Sequence, residues 1–136
     1  MLAKKVILAI FILAGILLVF YFSWLPSPDI SIQPYLPKWL GSWTNQNDNL
    51  RTAVPFVFLG LTGELILFNN RSIWYRRTLV LFSLVLIVTL AELGQLFLPK
   101  RHFDLWDIFW GMAGALGGMI LGATCKRILN RPYKNK

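Results

Sequence analysis

Four apolar stretches run along the chain, at about 6–25, 52–68, 78–98 and 106–124, and polar or basic segments separate them. A run of about 17–25 predominantly apolar residues is enough for a helix to cross a hydrocarbon core about 30 Å thick. The first, third and fourth stretches meet that length comfortably. The second meets only its lower limit, and it is interrupted by Pro55, Gly60, Gly63 and Glu64. Pro55 falls near its start, where a helix tolerates proline. Inside a bilayer each backbone N–H and C=O must be satisfied within the protein, which favours helices. The pattern therefore predicts an all-α fold: a polytopic membrane protein built as a four-transmembrane-helix bundle.

The first stretch follows Lys4 and Lys5, as a secretory signal would. Its apolar part, Val6–Leu25, is longer than the roughly 7–15 residues of a signal h-region, and Pro-Ser-Pro-Asp-Ile follows it instead of a small-x-small cleavage site. It is expected to remain as the first span. The segment 26–51 contains Pro26, Pro28, Pro34 and Pro37 together with Trp39 and Trp43, and reads as an interfacial loop with its rings at headgroup depth. Asp29 and Asp48 within it are expected to be solvated.

The composition agrees with a lipid environment. Of 136 residues, 56% are hydrophobic and only 15% charged, where a soluble domain carries about 25%. The length allows one domain, 1–136. The net charge is +8, but the basic residues flank apolar runs, so they read as topology determinants and not as a nucleic-acid surface. Lys4, Lys5, Arg71, Arg76, Arg77, Lys126, Arg127, Arg131, Lys134 and Lys136 fall on one side of a four-span layout. Only Lys38, Arg51, Lys100 and Arg101 fall on the other. The positive-inside rule then makes both termini cytoplasmic in a multi-pass protein of the cell membrane. A single cysteine, Cys125, and a single histidine, His102, give no metal-ligand pattern, and no metal or cofactor is expected.

The candidate chemistry is a polar constellation around the third interhelical turn. Glu92 lies about two turns inside the third stretch, and Gln95 follows on the same helix face. A charge at bilayer depth costs about 2.5–3.5 kcal/mol on insertion scales and persists only where it finds partners. Arg101 and Lys100 are the nearest candidates. Asp104 and Asp107 share a face at the start of the fourth helix, where carboxylates suit a cap or a first turn. The turn at Pro99 brings Glu92, Gln95, Arg101, Asp104 and Asp107 together at the outer face, either as structural glue or as a binding or reactive site. Glu64, late in the second stretch, is expected to snorkel or to pair with Arg71 or Arg76. Along the fourth helix Gly114, Gly118 and Gly122 repeat on one face, a spacing that lets helices approach closely.

The stretch Glu92-Leu-Gly-Gln95, through Pro99, Arg101-His-Phe-Asp104-Leu-Trp-Asp107, to Gly114 resembles the signature of the VanZ-like family. That signature is approximately Glu-x-x-Gln, a short turn, Arg-x-x-Asp-x-x-Asp, and a helix with Asn and Gly. The chain departs from it at Trp110 and Gly111, where the family usually has Asn. It departs again at Asp48-Asn49 and Thr52, where the family tends to carry Asp-Lys and a His. The resemblance implies a cell-envelope protein linked to antibiotic resistance, since the family is named for low-level resistance to teicoplanin. Three functional classes follow. The first is a non-enzymatic membrane protein binding membrane lipid, a lipid-linked cell-wall precursor or a lipoglycopeptide through the outward cluster. The second is an intramembrane enzyme on a lipid-linked substrate, with Glu92, Asp104 and Asp107 as acid/base or ligand groups. The third is a small transporter or channel subunit, in which the glycine face would serve a homo-oligomer.

Overall fold

The computed structural model describes residues 2–67 and 72–129. Among these residues there are five α-helices and no strand: α1 (Leu2–Ser23), α2 (Lys38–Gln46), α3 (Asp48–Ile66), α4 (Ile73–Gln95) and α5 (Leu105–Leu129). The chain is thus all-helical. The end of the second stretch at Phe68, Arg71 and the basic tail past Leu129 lie outside the described residues.

Where four spans were expected, three helices are long and apolar enough to cross a membrane: Lys5–Ser23, Ile73–Gln95 and Leu105–Leu129. The helix that falls short is α3, which carries Asp48, Asn49, Arg51, Thr52, Thr62 and Glu64. It touches each of the other four helices and makes its most extensive contact with α5. Its buried face is Ala53, Phe56, Leu59, Gly60, Gly63 and Glu64. On that face packing and not hydropathy selects the residues, while Leu50, Val54 and Phe58 of the same helix are exposed. By contrast, no residue in the apolar window of α1 is buried.

The segment 26–51 differs from the irregular loop expected of it. It contains a 3-10 turn at Ile30–Ile32, then α2, and α3 already begins at Asp48. Asp29 organises this segment. Its Oδ1 accepts from the Ser31 amide at 2.9 Å and from Asn45 Nδ2 at 2.6 Å, while Asn45 Oδ1 accepts from the Ile30 amide at 3.2 Å. The Ser31 hydroxyl, which also donates to Asp29 Oδ1, together with the Asn45 amide and the Ser31 backbone N–H, holds the carboxyl of Asp29 below the usual carboxylate range. The early start of α3 also puts Pro55 inside the helix and not near its start. Its missing N–H deprives the Arg51 carbonyl of its intrahelical partner.

The core is one cluster of Phe56, Leu59, Leu84, Val88 and Ala115, with Ile12, Ile16 and Val19 of α1 packed onto it. The α3–α5 crossing depends on glycine. A Cβ on Gly118 would lie inside the contact radius of the Val57 carbonyl oxygen, one on Gly114 inside that of Ala53, and one on Gly60 inside that of Ala115. Gly122 faces the Glu64 side chain in the same groove. Small residues here let the two backbones touch, which substitutes for the hydrophobic driving force that lipid cannot supply.

Candidate functional site

At one end of the bundle four helix ends meet. Helix α4 stops at Gln95, and successive tight turns, Leu98 N to Gln95 O and Arg101 N to Leu98 O, carry the chain back toward its own axis. Glu92 and Gln95 are both buried on α4. Glu92 accepts from Gln95 Nε2 at 3.0 Å through one oxygen and from the Asp104 backbone amide at 3.2 Å through the other. The carboxylate therefore caps the approach to α5, as expected for an anion near exposed amides. Gln95 also donates to Ser23 Oγ at 2.9 Å, and Trp24 Nε1 donates to the Ala91 carbonyl at 3.1 Å, so the end of α1 is tied to α4. Asp107, in the first turn of α5, accepts from Thr52 Oγ1 of α3 at 3.0 Å.

Arg101 does not pair with Glu92 as expected. Its Nε donates to Leu25 O, and one terminal nitrogen donates to Phe22 O and Ser27 O, each at 3.2 Å. A planar guanidinium with several N–H donors suits three backbone carbonyls gathered at and just past the end of α1. Among the described residues no carboxylate lies within ion-pair distance of Arg101. Burial holds its guanidinium below its ordinary value, and the neighbouring Arg51 charge pushes the same way, while Glu92 and Asp107 oppose them. Arginine stays charged regardless. Lys100, the other expected partner of Glu92, is exposed, as is His102. The Asp104 carboxylate is exposed too and caps α5 through the Trp106 amide at 2.8 Å. Asp104 thus meets Glu92 only through its backbone.

These groups border a cavity of about 590 Å³, within the range of small-molecule sites. Its lining has two parts. Ser23, Arg51, Thr52, Glu92, Gln95, Arg101 and Asp107 form a polar end, and Phe11, Ala14, Gly15, Leu18, Phe58, Leu59 and Thr62 line the rest between α1 and α3. From Arg51 to Thr62 the trough follows α3 for roughly 16 Å at helical rise. Glu92, Gln95, Arg101 and Asp107 were legible in the sequence as one cluster. Ser23, Arg51 and Thr52 were not. Ser23 and Thr52 are polar residues at the edges of apolar runs, and Arg51 reads there only as a topology charge.

The opposite end holds a second cluster. Glu64 is fully buried. Arg77 grips it with two bonds, Nε to Oε2 at 2.9 Å and a terminal nitrogen to Oε1 at 2.6 Å. Lys126 Nζ lies 3.7 Å from Oε1 and donates to the backbone carbonyls of Glu64 and Leu67. Glu64 therefore does not snorkel, and its partner is Arg77 and not Arg76. Arg77 enters α4 one turn after its start and faces α3, whereas Arg76 is exposed. The cluster ties the end of α3 to the start of α4 and the end of α5, and it has no part in the cavity lining. Among the described residues no group of three or more His, Cys, Asp or Glu side chains is placed to hold a metal ion.

No family model matches the chain, and no curated protein or solved structure is similar to it.

Proposed function

We propose that this chain is a VanZ-like integral membrane protein of the cell envelope that holds an amphiphile, with the head in the polar end of the cavity and an acyl chain in the trough between α1 and α3. The observation that carries this reading is the two-part lining. Charged and hydrogen-bonding side chains occupy one end, and an apolar channel leads away from it along the helix axes. A ligand that filled both parts would itself have to be polar at one end and apolar at the other. Lipid-linked envelope precursors and lipoglycopeptides, the classes implied by the resemblance, have that form. Glu92 has both oxygens committed to Gln95 and to the Asp104 amide, which favours binding over acid/base turnover.

In this reading α3 is a fourth crossing, with one face packed against its neighbours. Helix α3 has 19 residues, about 28 Å at helical rise, close to the roughly 30 Å of a hydrocarbon core. The polar clusters at Asp107–Thr52 and at Glu64–Arg77 then mark the two membrane faces. The basic residues near the Glu64 end put that face and both termini in the cytoplasm, and the cavity head at the outer face.

The test is native mass spectrometry of the full chain extracted in mild detergent, beside Ala14→Trp, which fills the trough from α1. Wild type should retain about one amphiphile per chain, and Ala14→Trp should lose it while keeping its helicity and melting temperature. No retained amphiphile in wild type, or full occupancy in a well-folded Ala14→Trp, would overturn the reading.

A further inference from the structure

The polar end of the cavity has a charge pattern that selects among heads. Arg51 and Arg101 both line it, and the Arg51 charge is felt at Arg101. Arg101 uses Nε and one terminal nitrogen on backbone carbonyls, and among the described residues its second terminal nitrogen has no protein partner. Arg51 reaches only Pro28 O at 3.4 Å and the exposed Asp48 at 3.7 Å. Two guanidiniums bordering one space, neither held by a buried carboxylate, form a receptor for an anionic oxygen group, and planar forks suit phosphate in particular. Asp107 borders the same space. One of its oxygens takes the Thr52 hydroxyl, and the other has no hydrogen-bond partner among the described residues. A purely anionic head would engage the two guanidiniums and leave the second Asp107 oxygen without a partner, whereas a head with both signs satisfies both sets of groups.

Resting on the amphiphile reading above, we infer that the bound head is zwitterionic: a phospholipid whose phosphate lies between Arg51 and Arg101 and whose protonated primary amine donates to Asp107. A primary amine fits better than a quaternary one. Its N–H groups can donate to the Asp107 carboxylate oxygen, which a quaternary ammonium, having no N–H, cannot. The acyl chain then follows Leu18, Phe58 and Ala14 inward.

The experiment compares three phospholipids with identical palmitoyl and oleoyl chains, bearing ethanolamine, choline or glycerol heads, added to delipidated full chain in detergent and read by native mass spectrometry. Wild type should bind the ethanolamine lipid roughly tenfold more tightly than the other two. Asp107→Asn, which still accepts from Thr52, should abolish or reverse the preference for the ethanolamine over the glycerol lipid, because the amine loses its carboxylate and the pocket loses one negative charge. Arg51→Gln should weaken all three lipids by a similar factor, because it removes a phosphate contact. Equal or tighter binding of the glycerol or choline lipid by wild type overturns the zwitterion inference and leaves the amphiphile reading standing, as does a preference that survives Asp107→Asn. Failure of all three lipids to bind, with no other amphiphile retained from the membrane, overturns the amphiphile reading itself.

Discussion

Removing Arg77 should destabilise the bundle more than altering Glu64, although both belong to one ion pair. The asymmetry follows from exposure: the Glu64 side chain is 1% exposed and that of Arg77 is 27%. Arg77→Met takes away two charge-assisted bonds and leaves a buried carboxylate whose remaining cation, Lys126, stands 3.7 Å away. Breaking a buried pair in this direction costs about 3–5 kcal/mol, and the retained Lys126 places the value near the lower end, about 3 kcal/mol. Glu64→Gln keeps an acceptor for Arg77 at the same position, and the freed guanidinium has a route to water, so about 1–1.5 kcal/mol is expected. The double variant should fall short of the sum of the singles by at least about 1 kcal/mol, because the charge stranded by Arg77→Met is then absent. The assay is reversible unfolding in mixed micelles at fixed detergent composition, followed by circular dichroism. An Arg77→Met cost below about 1 kcal/mol, or strictly additive singles, would refute the reasoning that a desolvated carboxylate governs this end of the bundle.

At the α3–α5 crossing, Gly118→Leu should cost on the order of 1–3 kcal/mol, whereas Gly117→Ala, where an added Cβ meets nothing within 4 Å, should hold or raise the melting temperature through helix propensity; equal losses would remove the close-approach argument. For topology, a cysteine at the exposed Gln46 in a Cys125→Ser background should react with an impermeant maleimide from outside intact cells, and reaction only from the cytoplasmic side would invert the proposed orientation. For the outer segment, the carboxyl of Asp29 is depressed in the folded state by the Ser31 and Asn45 bonds. Its contribution is therefore fully present above the unfolded value of about 3.9 and is lost as pH falls through the lower folded value. Amide exchange of residues 38–46 should accelerate across that acid range in wild type, and in Asp29→Asn it should be fast already at neutral pH without that acid transition.

Local chemistry made several features readable from the chain alone. Long apolar runs have one solution in lipid, and this explains why α1, α4 and α5 match expected spans. The Glu92–Gln95 spacing places two side chains on one helix face whatever the surroundings, and Asp104 before an apolar run is an N-cap by the geometry of helix starts. The glycines of α5 announce close packing because nothing else fits against a backbone. What tertiary structure decided is the choice of partners. Arg101 lies close in sequence to Glu92, yet the ends of α1 offer it three carbonyls, and a carbonyl cluster contributed by residues 22–27 has no signature near position 101. Glu64 pairs with Arg77 and not Arg76 because the rotation of α4 against α3 selects one of two adjacent arginines, and composition is blind to that rotation. Helix α3 falls below the apolarity of a span because it carries Asp48, Asn49, Arg51 and Glu64, and the partners that hold Glu64 are a property of the assembled bundle. The cavity is likewise a property of the assembly: α1, α3 and α4 all contribute to its lining, and a gap between packed helices is encoded in none of them singly.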